Sequence, residues 1–191
     1  MNLANIITMG RVLLSPVFIF VFFTVNAAQG DKTILVVLLW VVFFLIELSD
    51  IADGMVARST AGVTDTGKLL DPFADSLSRL SYFLCFMVVG IMPLWVFVIV
   101  LYRDLWLGFL RLLQMKKGIT MGSRLSGKIK AWVYALAGIY GLLVFSETKL
   151  LIFHISSDII IILDFVMYSM VVGIAIGTIV DYSARVLKEK A

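Results

Sequence analysis

Charge is what this chain has least of. Only 15% of its 191 residues are charged while 61% are apolar, and its mean hydropathy is +1.05. A soluble domain carries about 25% charged residues, so the composition excludes that class and points to a membrane protein. Cysteine occurs once, as Cys85, and histidine once, as His154. An intramolecular disulfide is thereby excluded, and no Cys/His set exists to build a zinc site. His154 falls in an expected outer loop and reads as a surface residue. The sequence has no internal repeat, low-complexity tract or long linker, so residues 1–191 read as a single domain. The net charge of +3 gives no reason to invoke nucleic acid.

What is present is a series of apolar runs. Residues 12–30 and 80–102 carry no charge, whereas 33–46, 131–146 and 165–180 are apolar but short of the roughly 20 residues a spanning helix needs. Extended through their flanks, these runs predict six transmembrane helices near 5–26, 33–53, 69–89, 93–114, 126–147 and 158–186. The run 80–102 divides at "GIMP", where Gly90 and Pro93 suit a tight turn. The first helix is too long for a signal-peptide core and reads as retained. In the last, Gly173, Ala175 and Gly177 suit close packing, either within the chain or against a neighbour.

Lysine and arginine set the orientation, because short cytoplasmic loops hold an excess of them. Arg58, Lys68, Lys116, Lys117, Arg124, Lys128, Lys130, Arg185, Lys188 and Lys190 fall in one set of loops, against Lys32 and Lys149 in the other. Both termini are therefore expected to be cytoplasmic.

Against this background "SDIADGMVARSTAGVTDTGKLLDPFAD", residues 49–75, contains five aspartates. Asp50 and Asp53 are three apart at the expected end of helix two, and Asp71 and Asp75 are four apart at the start of helix three. Each pair shares a helix face. Gly54 suits the helix end, where it turns the chain left-handed or lets another group approach the backbone; Gly67 lies one turn before Asp71. Ionised carboxylates near hydrocarbon are costly and raise one another's pKa, so four of them together require positive charge. Hard oxygen donors suit Mg²⁺ or Mn²⁺, and a two-cation site holding a diphosphate follows. Asp65 reads as an ordinary loop acid.

These residues resemble the CDP-alcohol phosphotransferase signature, in which D-x2-D-G-x2-A-R precedes G-x3-D-x3-D. Asp50, Asp53, Gly54, Ala57, Arg58, Gly67, Asp71 and Asp75 fill every position. The resemblance implies an all-α integral membrane enzyme of six transmembrane helices, usually a homodimer, in the cytoplasmic membrane. Its polar metal and nucleotide cavity would lie at the cytoplasmic end of the bundle. It further implies two divalent cations held by Asp50, Asp53, Asp71 and Asp75, with Asp75 also the catalytic base. Gly54, Ala57, Arg58 and Gly67 would line the cytidine nucleotide site. "NLANIITMGRVLLSP", "YRDLWLGFLRLLQMKKG" and "LSGKIKAWV" resemble the bacterial phosphatidylglycerophosphate synthase branch. Asn5, Thr8 and Arg11 match residues that recur there, and Asn5 and Thr8 are assigned to the nucleotide site. The branch implies CDP-diacylglycerol as donor and sn-glycerol 3-phosphate as acceptor.

A phosphorylated acceptor needs cations. Arg103 and Arg111, eight apart, fall near one face of helix four, and Lys128 opens helix five; these three are the expected acceptor-phosphate ligands. Pairing of Arg103 with Asp104 or Glu47 is the competing reading. Lys116, Lys117, Arg124 and Lys130 read as topological charges near lipid headgroups. Two departures bear on the acceptor. Ser76 stands where that branch commonly has lysine, and Arg79 lies one turn beyond Asp75, either replacing that charge or marking another acceptor. Glu47 reads as the partner of a buried arginine. Inositol 1-phosphate, serine or another alcohol as acceptor, and a CDP-amino alcohol donor with diacylglycerol, stay open. So do a divalent-cation transporter and an inactive scaffold.

Overall fold

The structure, a computed structural model, describes residues 3–59, 65–118, 125–152 and 154–188. Within these ranges the side chains of 3–4, 51–59, 65–66, 68–69, 125–126, 128 and 187–188 lie outside the description. The described residues form helices alone: α1 (Leu3–Ala27), α2 (Thr33–Ser59), α3 (Asp65–Val88), α4 (Leu94–Lys116), α5 (Leu125–Leu150) and α6 (Ser157–Lys188). Among these residues α1, α2, α5 and α6 contain stretches long and apolar enough to cross a bilayer: Asn5–Ala27, Thr33–Asp50, Ile129–Leu150 and Ser157–Val186. Both α3 and α4 are long enough, but Asp71, Asp75 and Arg79 on one and Arg103, Asp104 and Arg111 on the other interrupt their apolar runs.

The outside of the bundle is as apolar as its centre. Phe20 is 73% exposed, Phe165 75% and Ile34 82%, a pattern that water would penalise and hydrocarbon accepts. The chain is an integral membrane protein.

Inside, α1 packs on α2 and α3, α6 packs on α4 and α5, and α3 joins the two groups through α4 and α5. The centre is aromatic. Phe18, Phe22, Phe43, Tyr82, Phe83, Phe86 and Phe145 are fully or almost fully buried, and the rings of Phe22 and Phe145 stack 4.0 Å apart. Close packing rather than water exclusion holds helices together in lipid. Gly138 and Gly141 on α5 form the notch that accepts this cluster. A Cβ on Gly138 would stand 3.0 Å from Phe43, and one on Gly141 only 2.5 Å from Phe86. Gly173 and Gly177 meet nothing within 4 Å, whereas Ala175 is fully buried. Internal packing thus accounts for the alanine and not for the two glycines.

The divided run 80–102 has a clear physical cause. Gly90 takes φ +81°, its N–H donates to Met87 O, and the N–H of Ile91 donates to Phe86 O. These are the two bonds of a Schellman C-terminus. Pro93, at φ −60° and ψ 137°, then starts α4.

Two expected boundaries are corrected. The α2 helix does not stop at Asp53 but runs through Gly54 to Ser59. A glycine inside a helix costs about 1 kcal/mol relative to alanine, and the good helix formers Met55, Ala57 and Arg58 that follow offset it. Gly54 therefore does not turn the chain. Helix α3 begins at Asp65 rather than Leu69, so Asp65 opens a helix instead of lying in a loop, and Gly67 sits in the first turn. At a rise of about 1.5 Å per residue, Asp50 lies about 26 Å along α2 from Thr33, close to the thickness of a hydrocarbon core of about 30 Å. The acidic residues consequently stand near one boundary of the bundle. The turns 28–32 and 89–93 lie at the other.

Candidate active site

Five of the six helices contribute side chains to one polar cavity of about 160 Å³ at the Asp50 end of the bundle. Asp50 comes from α2, Asp71, Asp75 and Arg79 from α3, Arg103 and Arg111 from α4, Lys130 from α5 and Tyr182 from α6. Three carboxylates and four cations thus share one opening. The sixth helix, α1, supplies support from behind: Arg11, 1% exposed, places Nη1 2.5 Å from Asp50 Oδ1 and Nη2 3.2 Å from Asp71 Oδ1.

The cations beneath the carboxylates are more deeply placed than the carboxylates themselves. Arg79, 4% exposed at its side chain, donates from Nη1 to Asp75 Oδ2 at 2.7 Å and lies 3.7 Å from Asp50 Oδ2. The side chains of Asp50 and Asp71 are 35% and 57% exposed. Buried guanidiniums therefore hold the acids from the protein side while the acids open toward the cavity. Such pairs are costly to bury and need hydrogen bonds on both partners; the shared carboxylates supply them.

On the other wall, Arg103 pairs with Asp104, and its Nε donates to Thr178 Oγ1 at 2.9 Å. Lys130 Nζ lies 3.5 Å from Asp75 Oδ2 and 3.8 Å from Asp104 Oδ1. One ammonium thereby joins the acidic wall to the basic one. Leu107 and Leu110 of α4 pack with Tyr182 and Val186 of α6 at this end, and that contact fixes the α4 wall against α6.

The expected site residues divide as follows. Asp50, Asp71, Asp75, Arg79, Arg103 and Arg111 meet in the cavity. Thr8 is buried one turn before Arg11 on α1 and Asn5 is half-buried a further turn back, both at the same end. Gly67 is half-buried in the first turn of α3, and Ser76 is half-buried but does not line the cavity. The side chains of Asp53, Gly54, Ala57, Arg58 and Lys128 lie outside the described residues, as does Arg124 altogether. Lys116 and Lys117 are exposed, as topological charges should be.

Lys130 is a correction. Only 5% exposed, it belongs to the site and not to the headgroup layer; the physical reason is the pair of carboxylates, Asp75 and Asp104, that compensates its burial. Arg103 pairs with Asp104, the competing reading of that arginine, and still lines the cavity. Arg79 is engaged by Asp75 and Asp50, and half-buried Glu47 lies within its electrostatic reach. Sequence reasoning missed Thr178 and Tyr182, named Asp104 only as a competing partner of Arg103, and undervalued Arg11. The signal for Arg11 was an arginine within the first spanning helix, where an ionisable residue has a functional default.

Among the described residues no three acidic, imidazole or thiolate groups converge into a metal cluster; Asp50, Asp71 and Asp75 are instead drawn onto Arg11, Arg79 and Lys130. The donor chemistry still fits a hard divalent cation. The cavity offers oxygen donors only, partly exposed, from two neighbouring helices.

The sequence profile of the CDP-alcohol phosphatidyltransferases matches residues 1–179. The chain belongs to that family. Among the similar proteins is the "Probable phosphatidylglycerophosphate synthase" of Mycobacterium tuberculosis, 31% identical over 188 residues, which covers 98% of this chain and 83% of that one. The "CDP-diacylglycerol--glycerol-3-phosphate 3-phosphatidyltransferase" of Bacillus subtilis is 30% identical over 142 residues, 71% of this chain and 74% of that one. A protein of the same name from Treponema pallidum is 35% identical over 101 residues, 53% of this chain and 47% of that one. As a CDP-alcohol phosphatidyltransferase the chain is a transferase of phospholipid biosynthesis, and its polar cavity is the candidate active site of that chemistry.

Proposed function

We propose that this phosphatidyltransferase transfers the phosphatidyl group of CDP-diacylglycerol to sn-glycerol 3-phosphate, giving phosphatidylglycerol phosphate and CMP. The observation that carries the reading is one cavity in which the signature acids Asp50, Asp71 and Asp75 face Arg103, Arg111 and Lys130. An acidic wall suits a cation-bound diphosphate, and a basic wall suits an acceptor that is itself a phosphate monoester. The names of the similar proteins from Mycobacterium tuberculosis and Bacillus subtilis support the same acceptor.

Asp50, Asp53, Asp71 and Asp75 are the residues to hold two divalent ions, Mg²⁺ or Mn²⁺. Ions held there would supply positive charge to the diphosphate oxygens and to departing CMP. The chain's own residues do the rest. Arg103, Arg111 and Lys128 bind the acceptor phosphate, with Lys130 beside them. The acceptor hydroxyl attacks the phosphorus that bears diacylglycerol, an O–P bond forms, and the O–P bond to CMP breaks. Asp75 orients that hydroxyl and takes its proton as the bond forms; Arg79 and Lys130, both at its Oδ2, fix the carboxylate. Gly54, Ala57, Arg58 and Gly67, with Asn5 and Thr8, line the cytidine nucleotide site.

The same reading gives one domain, six spans with both termini in the cytoplasm, a cavity opening at the cytoplasmic face of the cell membrane, and a homodimer. The orientation rests on the lysine and arginine bias of the loops, and the homodimer on family resemblance.

The test is purified protein in detergent or liposomes with labelled CDP-diacylglycerol, Mg²⁺ or Mn²⁺, and a panel of sn-glycerol 3-phosphate, inositol 1-phosphate and serine. Phosphatidylglycerol phosphate and equimolar CMP are expected. No CMP with any acceptor overturns the reaction; CMP only with inositol 1-phosphate or serine overturns the acceptor.

A further inference from the structure

Asp104 is a buried acid that the signature does not contain. Its side chain is 2% exposed, it lies on α4 next to Arg103, and its Oδ2 is buried without a hydrogen-bond partner among the described residues. A buried carboxylate with one oxygen left unmade is costly, and a packed apolar side chain at such a place is commonly the more stable choice. Stability therefore does not account for Asp104. Its contacts do, because its Oδ1 receives Arg103 Nη1 and lies 3.8 Å from Lys130 Nζ.

Both cations have a second anchor, and the two anchors pull in different directions. Arg103 donates its Nε to Thr178 on α6, 75 residues away in sequence; Thr178 is fully buried and itself bonds back to Ile174 O and Ala175 O. Lys130 lies 3.5 Å from Asp75, the proposed base. Remove Asp104, and among the described residues Lys130 keeps only the carboxylate of Asp75, while Arg103 keeps the hydroxyl of Thr178. The basic wall would lose its anchor, and the ammonium, now shared between two carboxylates, would be left wholly to the acid that must receive the proton.

We infer that Asp104 is the positioning residue of the acceptor half of the cavity: its carboxylate fixes Arg103 and shares Lys130 with Asp75, so that both cations stay placed for an incoming phosphate monoester. Thr178 is its partner in this role, fixing the guanidinium from the α6 side. Asp104 touches neither substrate nor reacting atoms. It acts through the two cations, and the selectivity for a phosphorylated over an unphosphorylated alcohol runs through it. This inference rests on the reaction proposed above.

The experiment is steady-state kinetics of Asp104→Asn, Asp104→Glu and Thr178→Val beside the unaltered protein, varying acceptor and CDP-diacylglycerol separately. Asp104→Asn is expected to raise the sn-glycerol 3-phosphate KM by roughly tenfold or more with donor KM within about twofold. Asp104→Glu should recover part of that loss, and Thr178→Val should shift the same KM in the same direction by a smaller factor. Equal rises in both KM values, or a fall in kcat with acceptor KM unchanged, would overturn the inference. If Asp104→Asn does not fold, Thr178→Val decides by the same two KM values. An unaltered protein that makes no phosphatidylglycerol phosphate refutes the reaction itself, whereas an active one with unselective variants refutes only the role of Asp104.

Discussion

Arg11 Nη1 stands 2.5 Å from Asp50 Oδ1, so an arginine on the first helix completes the signature carried by the second and third. Its other nitrogen reaches Asp71. A monovalent guanidinium thus bridges, from the protein side, two acids that the proposed reaction assigns to divalent ions.

Arg11→Ala should therefore lower thermal stability in metal-free buffer, by about 1–3 kcal/mol once the partial exposure of Asp50 and Asp71 is discounted. Mg²⁺ or Mn²⁺ should restore part of the lost Tm, and raise Tm more in the variant than in the unaltered protein, because binding to the folded state alone stabilises it. Differential scanning fluorimetry in detergent with a metal titration measures this. An equal metal shift in both proteins would refute the competition between arginine and cation.

Asp71 is the most exposed of the three described acids, at 57%, which makes it the clearest probe of cation binding. Asp71→Asn keeps the shape and removes the charge. It should reduce CMP release by roughly a hundredfold or more and abolish the metal-dependent rise in Tm, while the protein still folds. A variant that retains the metal shift would remove Asp71 from the proposed ligand set.

Lys130 and Lys116 test burial against topology. Lys130 is buried between Asp75 and Asp104, and Lys116 is exposed at the end of α4. Lys130→Gln should reduce kcat/KM for the acceptor by roughly a hundredfold, and Lys116→Gln should leave it within about twofold. Comparable losses from both would return Lys130 to the headgroup reading.

That contrast marks how far the sequence was legible. Spacing within 49–75 located Asp50, Asp71 and Asp75 on shared helix faces, since periodicity is local and the helices that carry them are regular. Gly90 and Pro93 located the turn between α3 and α4 for the same reason. Lys130 was misread because a lysine near a helix start looks alike whether it faces lipid headgroups or two carboxylates from other helices. The pairs Arg103–Thr178 and Arg11–Asp71 span 75 and 60 residues, and no local pattern announces them. The extension of α2 through Gly54 was missed because a glycine after a polar pair signals a helix end more often than an interior position.

Asp31 gives a dependence on pH away from the site. Its carboxylate accepts from Thr33 N at 2.9 Å and Thr33 Oγ1 at 2.7 Å, and these bonds hold its pKa below the ordinary carboxylate value. A folded pKa lower than the unfolded one means stability present above the ordinary value and lost as pH falls through the folded one. Asp31→Asn should remove this component of the acid-side decline in Tm and leave Tm between pH 6 and 8, roughly where carboxylates are fully ionised, only slightly altered. An unchanged acid profile would show that the bonds to Thr33 contribute nothing to folding.

The notch on α5 makes a prediction about packing alone. A Cβ on Gly141 would meet the Phe86 ring at 2.5 Å, and Phe86 is fully buried among Phe22, Tyr82 and their neighbours, so the ring has no room to retreat. Overpacking of this kind costs about 1–3 kcal/mol. Gly141→Ala should lower Tm by that amount and Gly138→Ala, with its closest approach at 3.0 Å, by less. Gly173→Ala meets nothing within 4 Å and, gaining about 0.5–1 kcal/mol of helix propensity, should match or exceed the unaltered protein. Kinetics below the transition should be the same for all three, because the notch lies in the aromatic centre and not in the cavity. If Gly141→Ala proved as stable as Gly173→Ala, the tight contact between α5 and α3 would not be what holds these helices together.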